Sequence, residues 1–163
     1  MASYVYPGCG YGGYCLPKDT NALYAVTKTA GFDAQILHHV ISTNDHMPAF
    51  IADKIIRTIG TDKSQQIGIL GLSFKPGSDD VRDTPSAKII RELIARGYTN
   101  ICGYDPVAMG EFRRYYDIPM AYADTYEELL LRAQSLVITT AWPEFKDVRK
   151  RTDKPLVDCR YML

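Results

Sequence analysis

The spacing of apolar residues changes once along the chain, near residue 60. Before that point they recur at three- and four-residue steps. Ala22, Leu23, Ala25 and Val26 predict a helix, capped by Asp19 or Thr20 and stopped at Gly31. Ile36, Leu37, Val40, Ile41, Phe50, Ile51, Ile55 and Ile59 predict a second, which Pro48 should kink or divide. Residues 60–64 (GTDKS) are a polar break, and the expected division is therefore 1–62 and 63–163.

Beyond the break, short apolar runs alternate with helical patterns. Residues 66–72 (QIGILGL) read as a strand buried on both faces. Thr84 and Pro85 form a helix start, with Thr84 as N-cap and Pro85 in the first turn, and the helix ends at Gly97. Further strands are predicted at 100–104, 118–121, 135–140 and 155–158. Helices are predicted at 108–116, 126–132 (capped by Asp124 or Thr125) and 144–150. Strand–helix alternation implies an α/β fold: a small Rossmann-like parallel sheet with right-handed crossovers, preceded by a helical segment.

Composition narrows the function classes. The 163 residues carry 19 Lys+Arg and 19 Asp+Glu, for a net charge of zero. Such a balance exerts no electrostatic pull on nucleic acid or on an anionic membrane. No apolar run approaches the ~20 residues that span a bilayer, and the first residues lack the pattern of a signal peptide, so the expected compartment is the cytoplasm. Cys9, Cys15, Cys102 and Cys159 include no C-x-x-C pair, and His38, His39 and His46 are not spaced to join them. Neither a disulfide framework nor a metal site is expected.

Two segments carry candidate chemistry. Residues 10–19 (GYGGYCLPKD) set Cys15 between a glycine-rich turn and a helix N-terminus. Unpaired amides and the positive end of the helix dipole favour thiolate, the nucleophilic form, and Lys18 acts in the same direction. Asp19, four residues on, is near enough to position water or act as a base. The alternative is a loop with a small buried cysteine. Residues 73–83 (SFKPGSDDVRD) leave the carboxyl end of the first strand, where open α/β sheets bind ligands. Lys75 and Arg82 could each meet a phosphate. In the alternative, Asp79, Asp80 and Arg82 only pair with each other in a solvated loop. Arg160, after the last strand, could face the same cleft. Residues 73–83, which follow the first strand, lack the G-x-G-x-x-G turn of a dinucleotide fingerprint.

Taken together, G-Y-G-G-Y-C-L-P-K-D at 10–19 and G-I-L-G-L-S-F-K-P-G-S-D-D-V-R-D-T-P-S at 68–86 resemble the UDP-glucose/GDP-mannose dehydrogenase family. So do Y-D-P at 104–106, W-P-E-F at 142–145 and the final D-x-R. The likeness covers essentially the whole chain but only the family's C-terminal portion, and the cysteine loop looks most like UDP-glucose 6-dehydrogenases. The resemblance implies oxidation of a nucleotide-sugar C6 alcohol to the acid, with two NAD⁺ reduced. Cys15 would be the nucleophile and Asp19 would manage the attacking water. By positional match, Tyr6, Pro7, Gly8, Cys9, Gly10, Tyr11 and Gly12 would lie along the sugar nucleotide, with Phe74, Lys75 and Arg160 also binding substrate. Cys15, Leu16, Pro17, Lys18 and Arg82 would face NAD. Residues 63–163 would be the UDP-binding domain, and 1–62 would hold the cysteine loop and part of a helical segment through which members dimerise. Tyr14 stands where the family often has Ser. Cys9 interrupts the usual Pro-Gly lead-in, and Cys159 replaces a common Gly. The family's NAD-binding domain lies upstream of the matched portion, so these 163 residues are expected to be inactive alone. A second reading, from another class, is a stand-alone nucleotide-binding or oligomerisation module with a vestigial Cys15.

Overall fold

The computed structural model describes residues 7–163. Two helices come first, α1 (Cys15–Thr29) and α2 (Gln35–Ile59). The alternating part follows as β1 (Ile67–Leu70), α3 (Pro85–Ala95), β2 (Ile101–Tyr104), α4 (Met109–Tyr115) and β3 (Ala121–Tyr122). It continues as α5 (Tyr126–Arg132), β4 (Ser135–Ile138), a 3-10 turn (Pro143–Asp147), α6 (Val148–Arg151) and β5 (Leu156–Asp158). The five strands form one sheet in the order β3-β2-β1-β4-β5, with every pair parallel. This is the α/β Rossmann-like arrangement expected from the sequence. The strand order reverses at β1, which creates a switch point between β1 and β4 at their carboxyl ends.

Alternation along β1 explains the two layers. Ile67 and Ile69 point into one core with Ile51, Ala52 and Ile55 of α2, Ile89, Ile90 and Leu93 of α3, and Phe112 of α4. Leu70 points the other way, toward Leu129 and Leu130 of α5 and toward Phe145 and Val148. On that second face Gly68 is required by contact: a Cβ there would lie 2.8 Å from both Ala133 and Leu136. Burying each large aliphatic side chain stabilises the fold by about 1.5–3 kcal/mol. No helix among the described residues is long and apolar enough to cross a membrane.

Several element boundaries differ from the sequence expectation, each for a physical reason. α1 begins at Cys15, not after Asp19. Pro17 is tolerated because amides of a first helical turn have no intrahelical acceptor. The Thr20 hydroxyl does not cap. It donates back to the Leu16 carbonyl at 2.7 Å. α2 runs unbroken through Pro48, which is buried. Proline removes one helical hydrogen bond there, and the packing of Ile51, Ala52 and Ile55 on the sheet holds the helix on course. β3 is displaced to Ala121–Tyr122, because Ile118 packs inward without joining the ladder. β4 ends at Ile138. Thr139 and Thr140 turn aside, their hydroxyls donating to Gly71 and Ser73 carbonyls at 2.5 Å. The helix predicted at 144–150 is a 3-10 turn that continues as α6.

Candidate active site

The N-terminal loop crosses the carboxyl edge of the sheet. Cys9 is buried there, and its thiol donates to the Thr139 carbonyl just past β4 at 3.5 Å. Burial pushes the Cys9 thiol up, an effect that Arg160 beside it partly offsets. Arg160 follows a turn built by Asp158, whose carboxylate accepts from the Arg160, Met162 and Leu163 amides at 2.7, 2.8 and 3.1 Å. That turn brings the guanidinium against Gly8, where a Cβ would meet Nη1 at 2.9 Å.

An open cleft of about 780 Å³ lies between this loop and α2. Its wall includes Pro7, Gly8, Gly10, Tyr11 and Arg160 from the predicted set, with His39, Thr43, Asn44 and Met47 from α2. A second cleft, about 510 Å³, is lined by Pro17 and Lys18 of α1, by Asn21, Asp45, Asp83 and Lys88, and again by Tyr11 and Asn44. Tyr11 and Asn44 are thus the ridge between the two. The Asn44 side chain accepts from the Tyr11 amide at 2.8 Å and donates to the Tyr11 carbonyl at 3.2 Å.

Further along, the glycines lock the cysteine loop to residues 73–83. A Cβ on Gly12 would lie 2.2 Å from the Asp83 carbonyl oxygen. Gly13 has a φ of +83°, lies against the Phe74 ring, and donates its amide to the Arg82 carbonyl at 2.9 Å. Tyr14 then sits between two cations. The Arg82 guanidinium is 4.6 Å and the Lys18 ammonium 5.6 Å from its ring centre. Cys15 opens α1 and is exposed, whereas Cys9, Cys102 and Cys159 are buried with their thiols pushed up by burial. Within these residues Cys15 is therefore not buried. Leu16 is exposed beside it, and Asp19 is ion-paired with Lys18.

The remaining predicted residues are less concentrated. Lys75 is exposed, with its ammonium 5.3 Å from the Phe74 ring centre. Phe74 and Lys75 line neither of the two clefts. Arg82 makes a bidentate pair with Asp80 at 2.9 and 2.7 Å and belongs to a smaller hollow of about 260 Å³ with Glu111 and Arg114. The Asp80–Arg82 pair of the alternative is thus present, while Arg82 also lies against Tyr14. Tyr6 lies outside the described residues. Among the described residues, no group of three or more metal-ligating side chains comes together. Asn44 escaped the sequence reading. It lies in a polar run with Ser42, Thr43, Asp45 and His46, so nothing in the local pattern marked it for burial.

Asp105 explains the Y-D-P and W-P-E-F segments. Its carboxylate is buried beyond the ends of β1 and β2 and accepts from the Leu72 and Ser73 amides, the Ser73 hydroxyl and the Trp142 indole on Oδ2. Oδ1 accepts from the Val107 and Ala108 amides. It thereby fixes where residues 73–83 leave the sheet.

A doubly wound parallel sheet whose carboxyl edge carries clefts and a cysteine-bearing glycine loop defines a Rossmann-like α/β protein with a candidate nucleophile. More specifically, the chain belongs to the UDP-glucose/GDP-mannose dehydrogenase family: the UDP binding domain matches residues 68–163 and the central domain residues 1–46. Two UDP-glucose 6-dehydrogenases of Bacillus subtilis, YwqF and TuaD, are 36% and 38% identical to it. They align over 85% and 86% of this chain but 31% and 30% of their own length. The chain therefore spans about a third of these curated relatives. A UDP-glucose dehydrogenase from Pyrobaculum islandicum superposes with a TM-score of 0.87 at 32% identity, over 95% of this chain and 35% of that one. A GDP-mannose dehydrogenase from Pseudomonas aeruginosa gives 0.83 at 26% identity, over 98% and 38%.

Proposed function

We propose that this chain is the part of a nucleotide-sugar 6-dehydrogenase that holds the nucleophile and the nucleotide half-site, with UDP-glucose as the substrate. Residues 1–62 carry the cysteine loop and part of a dimerising helical segment, and 63–163 bind UDP. The observation that carries the reading is the convergence of Pro7, Gly8, Gly10, Tyr11 and Arg160 on one cleft, from which the same loop leads to exposed Cys15.

In this reading Arg160 meets the diphosphate, and the loop of residues 6–12 lies along the sugar. Lys18, in the first turn of α1, and Arg82, both near the Tyr14 ring, suit an anionic dinucleotide. NAD supplies the two-electron acceptor for each oxidation, and most of its contacts belong to sequence beyond these residues. The Cys15 Sγ bonds to C6 of the aldehyde, the carbonyl π bond opens, and the thiol proton ends on the C6 oxygen, giving a thiohemiacetal. The same C–S bond persists in the thioester that the second oxidation leaves. Asp19 takes a proton from the attacking water, the C–S bond breaks, and the uronate departs with the Cys15 thiol restored.

Dimerisation through the helices is supported by α1, which has no buried residue, and by exposed Leu23, Val26, Ile36 and Val40. Light scattering is expected to give a dimer for the chain and a monomer for Ile36→Asp; a monomeric parent chain contradicts this. The binding claim is tested by calorimetry with UDP, UDP-glucose and GDP. Saturable uptake of UDP and UDP-glucose, weakened at least about tenfold by Arg160→Ala, is expected for a lost charge-assisted contact. No heat at millimolar UDP would overturn the reading.

A further inference from the structure

We infer that Asn44 is a positioning residue that holds the ridge between the two clefts in register with Cys15. The inference rests on the functional reading above for the roles of the clefts, but its geometry is independent of it.

Three observations converge on this side chain. Asn44 is 8% exposed, although it lies mid-helix in α2, where a polar residue would ordinarily face solvent. Its amide meets both backbone groups of Tyr11, accepting at 2.8 Å and donating at 3.2 Å. Gly10 is shaped around it as well: with φ at +104°, a Cβ there would lie 2.8 Å from the Asn44 Oδ1. A glycine-rich loop without such a clamp samples many backbone states. The clamp sits four residues before Cys15; Gly12 and Gly13 are held separately by Asp83 and Arg82, so its loss frees the loop at Gly10 and Tyr11, the ridge itself.

Pro48 explains why this position can serve. It has no N–H, and the Asn44 carbonyl, four residues earlier, lacks its helical donor there. Ile51, Ala52 and Ile55 anchor the following turns in the core of the sheet. α2 thus links the sheet to the cysteine loop through one buried amide.

The test uses the 163-residue chain and three variants: Asn44→Ala, Asn44→Asp and, as a control for general destabilisation, Ile51→Val in the core. Amide hydrogen exchange at Tyr11 reads the clamp directly. In Asn44→Ala it is expected to rise about tenfold, the worth of one amide hydrogen bond. Asn44→Asp, which keeps the acceptor but loses the donor, is expected to retain part of the protection. Ile51→Val is expected to leave Tyr11 exchange at the parent value. Unchanged exchange in Asn44→Ala, or an equal rise in Ile51→Val, overturns the inference. UDP-glucose affinity is measured on the same samples. Its absence in the parent chain refutes the functional reading alone, because Tyr11 exchange still decides the clamp. Binding that Asn44→Ala leaves untouched refutes the positioning role.

Discussion

Asp105→Ala removes a carboxylate that is 1% exposed and accepts six hydrogen bonds. Four of the donors, the Leu72, Ser73 and Ala108 amides and the Ser73 hydroxyl, are in buried bonds. A buried donor left without an acceptor costs at least about 1 kcal/mol, so the substitution is expected to cost about 4 kcal/mol or more. Domains of this size are stable by about 5–15 kcal/mol, which makes that loss a large fraction of the whole. Asp105→Asn can keep its oxygen on the crowded Oδ2 side and turn its NH₂ toward the Val107 and Ala108 amides. Two donors then lose their acceptor, at about 2 kcal/mol. Urea unfolding followed by far-ultraviolet circular dichroism gives both numbers. Trp142, the single tryptophan, donates to Asp105 at 3.1 Å and reports the local change by fluorescence. If Asp105→Ala unfolds within about 1 kcal/mol of the parent chain, the hydrogen-bond reasoning is refuted.

Gly12→Ala forces a Cβ against the Asp83 carbonyl and is expected to cost about 1–3 kcal/mol in the same unfolding assay; a neutral result would mean that the two loops are not locked there. Burial pushes the Cys9, Cys102 and Cys159 thiols up and carries the Tyr104 and Tyr126 phenols to about 12. The folded chain then holds these protons more tightly than the unfolded chain does. Stability is expected to be insensitive to these groups below about pH 8.5, to fall as pH rises through the free thiol range, and to fall further above about pH 10. Urea midpoints across that span check the sign, and a midpoint that climbs with pH contradicts it.

Much of the sheet was legible because its signals are local. The QIGILGL run is buried on both faces as such a run should be, and Thr84 accepts from the Ser86 amide just ahead of Pro85 and α3. What escaped depends on contacts between distant residues. No periodicity announces that Asn44 will meet Tyr11, thirty-three positions away, or that Asp105 will gather amides from just beyond β1 and an indole from beyond β4. The start of α1 was hidden by Pro17, a residue that ends helices inside them yet is harmless in a first turn. Pro48 misled for the related reason that packing on the sheet outweighs one missing hydrogen bond. Of the candidate site, the cysteine loop and Arg160 were legible as segments, and the resemblance set both on the substrate. The contact of the Arg160 guanidinium with Gly8 was not legible.

The most direct measurement uses a UDP-glucose derivative carrying a chloromethyl ketone at C6, with peptide mass spectrometry to find the alkylated residue. The account predicts one adduct per chain on Cys15, slowed by excess UDP and abolished in Cys15→Ser. Alkylation spread over several cysteines, or a Cys15 adduct whose rate is indifferent to UDP, would contradict it.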